Sequence, residues 1–178
     1  MRVRLIIVGF LPEYQMAINF LEQLVAEWYE YKEYFVRRNI RVGKRLAGGY
    51  ECELDVVAFH PTTKHLVHLE PSTDASSWSE REKRYKKKFG AGRKYIPKMF
   101  PGLLPQGAEP EQIAIFVFAS KNEDRTLAGG RVVHISAFLE PIIAEFSSFS
   151  MMKKQVSEQF TTLRTLQFAT EYRESLFK

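Results

Sequence analysis

An α/β fold with the order helix, three strands, helix, strand is predicted by three features of the sequence. Apolar residues recur at helical spacing between Ile18 and Trp28, a β-hairpin is centred on Pro61-Thr62-Thr63-Lys64, and a nearly continuous apolar run extends from Ile113 to Phe118. At the start, Arg2 and Arg4 precede the short apolar run Leu5-Ile6-Ile7-Val8. That run lacks a small-residue cleavage site, so a strand or a segment packed on the core is expected rather than a signal peptide. Pro12 and Glu13 suit the first turn of a helix whose apolar stripe is Ile18, Leu21, Leu24, Val25 and Trp28. Glu22 borders this stripe, where a carboxylate can lean over a neighbouring sheet. Glu27 borders the other flank, and Glu30 points nearly opposite.

Tyr34 to Val42 reads as a strand, and Gly43 with Gly48-Gly49 marks a loop. The hairpin follows, with Val56-Val57-Ala58-Phe59 on one arm and Leu66-Val67-His68-Leu69 on the other. Ser76-Ser77 caps a helix with apolar contacts at Trp78, Tyr85 and Phe89, expected to end near Gly90. Residues 97–110, rich in proline and glycine, form a loop. Gln112 to Ala119 suits a strand buried on both faces, and Arg131 to Ile135 a further strand. Beyond residue 136 the chain reads as helical, with Phe138, Ile142, Ala144 and Phe146, then Val156, Phe160, Leu163 and Leu166. A single domain over residues 1–178 is expected, with a core over about 12–135 and a helical extension that covers the sheet or makes a dimer contact.

A hydrophobic content of 45% with 13% aromatic residues belongs to a folded chain and not to a disordered one. No apolar run approaches the length of a membrane span. The single cysteine, Cys52, excludes an intrachain disulfide framework and a cysteine-rich zinc site, and fits a reducing cytoplasm. No P-loop, dinucleotide-binding glycine turn or serine-nucleophile elbow is present. The net charge of +5 is unevenly spread. Arg81, Lys83, Arg84, Lys86, Lys87, Lys88, Arg93, Lys94 and Lys98 face only Asp74, Glu80 and Glu82 within residues 74–98. Such clustering is the electrostatic footprint of a phosphate-backbone binder, whose affinity falls steeply with salt.

Acidic residues flank the hairpin. With Pro61 to Lys64 as its loop, His60 pairs with His65, Asp55 falls opposite Glu70, and Glu53 falls opposite Ser72. Opposed residues share a face with Cβ atoms about 4.5–5.5 Å apart, and like charges so placed repel unless a cation joins them. A divalent metal is therefore expected here. Cys52 points away by strand alternation. His68 shares Glu70's face, which leaves a transition-metal site open beside a hairpin-pairing role.

Glu53-Leu54-Asp55-Val56-Val57-Ala58 followed by Val67-His68-Leu69-Glu70 resembles the D…(D/E)-x-K core of the PD-(D/E)XK, restriction-endonuclease-like nuclease superfamily. Glu22-Gln23 lies twelve residues before Tyr34, and Asn39-Ile40-Arg41 follows, as in bacterial members of that superfamily. The resemblance covers about residues 20 to 120. It implies a restriction-endonuclease-like αβββαβ core, with a central mixed sheet flanked by helices. It also implies a nuclease that hydrolyses phosphodiester bonds, most readily in DNA, with Mg²⁺ or Mn²⁺ held by Asp55, Glu70, Glu22 and Glu53.

The family motif ends in lysine where this chain has Ser72, after Pro71. Either Lys83, Lys86 or Lys87 reaches in from the adjacent helix as a flexible point charge, or the site no longer cuts. The resemblance thus makes Asp55, Glu70, Glu22, Ser72, Lys83 and Lys87 the expected catalytic set. Arg81, Arg84, Lys86, Lys88, Arg93 and Lys94 are expected to hold nucleic acid. A homodimer would suit cleavage of both strands of a duplex. Two alternatives stand beside the nuclease: an inactive nuclease-fold module that binds nucleic acid, and a protein-interaction domain in which the acids are incidental.

Overall fold

The fold was obtained as a computed structural model that describes residues 19–119 and 125–176. The expectations for Met1 to Leu11 and for Pro12 and Glu13 lie outside these residues. Helix α1 (Phe20–Tyr31) is followed by strands β1 (Phe35–Lys44), β2 (Tyr50–Phe59) and β3 (Leu66–Ser72), then helix α2 (Trp78–Tyr95), which runs into a 3-10 turn at Ile96–Met99. Strands β4 (Glu111–Phe116), β5 (Thr126–Leu127) and β6 (Gly130–His134) come next, then helices α3 (Ile135–Ser147), α4 (Thr161–Glu171) and α5 (Arg173–Leu176). The described strands form a six-stranded mixed sheet in the order β1-β2-β3-β4-β6-β5. The first three are antiparallel, while β4 runs parallel to β3 and β6 parallel to β4. No described helix is long and apolar enough to cross a membrane.

The hairpin turn sets the register. His60 N–H donates to His65 O at 2.9 Å, and the ladder runs from Phe59–Leu66 to Val56–Leu69. The His60 ring closes the turn by accepting from the Thr62 and Thr63 amides at 3.2 Å each. The next step outward along this ladder is Asp55–Glu70, the juxtaposition expected from the sequence.

Helices cover both faces of the sheet. One layer joins Leu21, Leu24, Val25 and Trp28 of α1 to Val56, Ala58, Val67, Leu69, Ile113 and Ile115. Phe138, Ile142 and Phe146 of α3 and Leu163 of α4 complete it, so the C-terminal helices share the core of the domain. Glu27, the second candidate for a helix acid, belongs to this packing: its buried carboxylate accepts the Leu163 amide at 2.8 Å and so caps α4. On the opposite face, Ala91 and Ile96 pack with Leu54, Val57 and Phe59, and Tyr85 and Phe89 with Ala114 and Phe116.

Strand alternation breaks at Asp55. Val56 packs on the α1 layer, whereas Leu54, two residues earlier, packs on the α2 layer. On β1 the pairing steps from Arg38–Val56 to Ile40–Leu54 around Asn39, whose φ is 52°. The left-handed residue turns the pleat over, as bulges do. Two expectations change in consequence. Cys52 packs against the α2 layer rather than facing away from it, and Glu53 pairs with Arg41 at 3.0 Å instead of standing over Ser72.

Helix α2 does not stop near Gly90 but continues to Tyr95. Its glycines serve packing. A Cβ on Gly92 would lie 2.4 Å from His68 Nδ1 and 2.9 Å from Gln112 Nε2. Gly92→Ala is therefore expected to cost about 1–3 kcal/mol, read as a lower thermal midpoint, while Gly90→Ala, which meets nothing within 4 Å, should be neutral or mildly stabilising. The strand expected over Arg131 to Ile135 ends at His134, whose ring accepts the Ser136 amide at 3.1 Å and caps α3.

Candidate functional site

Asp55 and Glu70 converge beneath α2 where β2 and β3 part. The Asp55 amide donates to Glu70 Oε1 at 3.2 Å. Lys88 Nζ donates to Asp55 Oδ1 at 2.5 Å and also to Glu70 Oε2. Side-chain exposure is 15% for Asp55, 1% for Glu70 and 22% for Lys88, so the trio is largely screened from water. Burial, and then the charge of Glu70, raise the Asp55 carboxyl from its ordinary 3.8 to about 7. Burial by itself would lower the pKa of Lys88, but Glu70 and Asp55 beside it raise it overall. Once the pH exceeds about 7 and Asp55 is ionised, two carboxylates and one ammonium leave the cluster with negative charge to spare.

Glu70 is held from two further directions. His68 Nε2 lies 2.8 Å from Glu70 Oε1, and His68 Nδ1 lies 3.2 Å from Gln112 Nε2, an amide that also donates to Phe89 O at 2.8 Å. Because Gln112 donates to Nδ1, the proton of the ring sits on Nε2 and is donated to Glu70. Burial, followed by the charge of Lys88, depresses His68 to about 3, so the ring is neutral. Tyr85 OH donates to the Glu70 backbone carbonyl at 3.0 Å. At the far end of the chain, Gln112 Oε1 accepts from Arg93.

Glu22 stands at the mouth of the site. Asn19, which caps α1, donates to its carboxylate at 2.8 Å. Burial raises its pKa, and the charges of Asp55 and Glu53 raise it further, while Lys88 lowers it. Glu22 thus feels the charge of the cluster from α1. Among the described residues, no group of three or more His, Cys, Asp or Glu side chains is arranged to hold a metal ion by itself.

No protein-family model matches this chain, and no curated protein matches its sequence.

The structure brings together Asp55 and Glu70, sets Glu22 within reach of their charge, and leaves the other expected catalytic residues apart. Ser72 turns to Asp74, donating to its carboxylate, and Asp74 is held in turn by the Ser76 amide, Arg81 and Arg84. Lys83 and Lys87 are exposed and make no ion pair with a described residue, as does Lys86. The cation that touches both acids is Lys88, expected to hold nucleic acid. Arg81, also assigned to nucleic acid, is 3% exposed and donates to the Asp74 and Phe118 carbonyls at 2.8 Å each while lying 4.2 Å over the Phe116 ring. It is a structural cation. Arg84 is tied to Asp74 and Lys94 to Glu51.

Lys88 was legible in principle. Arg81, Tyr85, Lys88 and Gly92 recur every three or four residues and trace the sheet-facing stripe of α2. His68 was marked by sharing Glu70's face, whereas Gln112 gave no comparable signal, because it acquires its role only when β4 comes alongside β3.

Proposed function

We propose that this chain is a metal-dependent nuclease acting on phosphodiester bonds in DNA, built on a restriction-endonuclease-like core with Asp55 and Glu70 as the metal ligands. The observation that carries this reading is the reach of Lys88 from α2 to both acids. It offers a basic group at the position where Ser72 leaves the strand motif without one. Two carboxylates fit Mg²⁺, which is bound through one or two carboxylates and completes its shell with water and substrate phosphate, so a third protein ligand is not required. When bound, such an ion supplies Lewis-acid activation of the phosphate.

The remaining work belongs to side chains. Lys88 sets a positive point charge beside the phosphate oxygens. His68 and the Asp55 amide fix the orientation of Glu70, and the aliphatic walls of β2 and β3 limit the entry of water. Glu22 at the mouth adds negative charge that favours a divalent cation over a monovalent one.

The same contact also favours a second reading, an inactive nucleic-acid-binding module, since the Lys88 ammonium already serves as a cation for both acids. Plasmid and single-stranded DNA incubated with Mg²⁺ or Mn²⁺ separate the two. Nicking that needs metal and disappears in Asp55→Ala supports the nuclease. Salt-sensitive DNA binding with no cleavage by either protein supports the module.

A further inference from the structure

We infer that the β1–β2 hairpin is an arm that enters the major groove of duplex DNA beside the cut site. This inference rests on the nuclease reading and adds where the duplex lies. From Arg37 to Tyr50 the chain carries Arg37, Arg38, Arg41, Lys44 and Arg45 and no acidic residue. Every residue from Lys44 to Tyr50 is exposed. Arg37, Arg38 and Lys44 form no ion pair with a described residue, and Leu46 projects fully into solvent at the tip.

The arm is ordered at its root and open at its end. Gly43 packs so closely that a Cβ there would meet Tyr95 Oη at 2.7 Å, and Tyr95 OH donates to Glu51 at 2.6 Å, which pins both strands to the end of α2. The turn is closed by Arg45 N–H to Gly49 O at 3.0 Å, with Gly48 and Gly49 at φ values of 91° and 75° that favour glycine. A two-stranded ribbon fits the B-form major groove, about 12 Å wide, whereas the A-form major groove of RNA is too narrow to admit side chains. Lys44 and Arg45 then meet phosphates on either wall, and Leu46 meets apolar base edges such as the thymine methyl. Tyr50 lies five residues from Asp55 along β2, roughly 17 Å at about 3.3 Å per residue. The arm therefore engages the duplex within about 17 Å of the site.

The test uses full-length Asp55→Ala protein, which removes cleavage from the readout, with a 30-base-pair DNA duplex and the A-form RNA duplex of the same sequence. Affinity is followed by fluorescence anisotropy across a salt series. Adding Lys44→Ala and Arg45→Ala should lower DNA affinity about tenfold or more at moderate salt and reduce the salt slope by about two. Adding Leu46→Ser instead should lower affinity about threefold and leave the slope unchanged. Thermal midpoints should stay constant, because the altered side chains are exposed.

Variants that bind DNA with the parent affinity and slope, while the wild-type protein cuts, overturn the arm and leave the nuclease standing. An equal loss on duplex RNA overturns the major-groove assignment. A parent that binds no DNA, with a wild-type protein that cuts none, removes the nuclease reading and the arm together.

Discussion

Asp55→Ala is expected to abolish metal-dependent cleavage, and the isosteric Asp55→Asn to do the same while making the protein more stable. A ligand to the activating ion contributes several kcal/mol of charge stabilisation, and at about 1.4 kcal/mol per tenfold its loss amounts to about 10³-fold in rate. The effect on stability follows from the Asp55 carboxyl, raised from 3.8 to about 7 by burial and by Glu70. Its folded-state pKa lies above the unfolded one, so the native protein holds the extra proton between about pH 4 and 7. Stability carried by the protonated form is present at the acid end of that window and is lost as the pH rises through it. At pH 8 without divalent metal, Asp55→Asn should exceed the wild type by on the order of 2–4 kcal/mol, and at pH 4 the two should coincide. Thermal or urea unfolding in chelator across this range checks it. Parallel curves for the two proteins would show that Asp55 carries no such strain, and cleavage by Asp55→Asn would remove it from the site.

Lys88→Ala should have the largest structural cost of any substitution at the site. It leaves Glu70, 1% exposed, beside Asp55 with no cation between them. Breaking a buried ion pair by removing one partner costs about 3–5 kcal/mol. Lys88→Met keeps most of the aliphatic stem and so isolates the charge from the packing. Both variants should lose cleavage, and both should regain stability on addition of Mg²⁺, with a rise in thermal midpoint well above that of the wild type. A divalent ion then supplies the positive charge that the ammonium supplied. A midpoint in Lys88→Met that is insensitive to Mg²⁺ would mean that the acids do not bind the ion, and cleavage at the wild-type rate would mean that Lys88 takes no part in the chemistry.

Much of this site could be read from the chain. The turn formers Pro61 to Lys64 fix the hairpin, and once they do, Asp55 and Glu70 have to converge, because pairing advances one residue on each strand per step. Helical spacing puts Glu22 on the border of the α1 stripe, where the charges of Asp55 and Lys88 reach it.

What escaped was conditional on three-dimensional context. The reversal of the pleat at Asp55 depends on Asn39 adopting a left-handed backbone, which asparagine permits but does not require. It is why Glu53 departs from the line of Asp55 and Cys52 faces α2. Gly90 signalled a helix end, yet α2 runs on past it, and the space that Gly92 leaves is filled by a histidine from another element. Lys88 was one lysine among many on a basic helix, and only the buried companions of its stripe set it apart. The short positive run on β1 was concealed by nearby acids in any charge tally taken over a longer stretch.

The interior chain from Gln112 through His68 to Glu70 bears on kinetics as well as geometry. Both nitrogens of His68 are committed, one as acceptor and one as donor, and burial keeps the ring uncharged down to about pH 3. A histidine so confined has no spare lone pair to take a proton from water and no charge to give up near neutrality. The rate of DNA cleavage plotted against pH should therefore rise and fall without an inflection belonging to imidazole, and that profile should keep its shape in His68→Gln, where an amide can still bridge Gln112 and Glu70. Any ionisation that governs turnover has to be sought in solvent water, in the substrate, or in the carboxylates themselves.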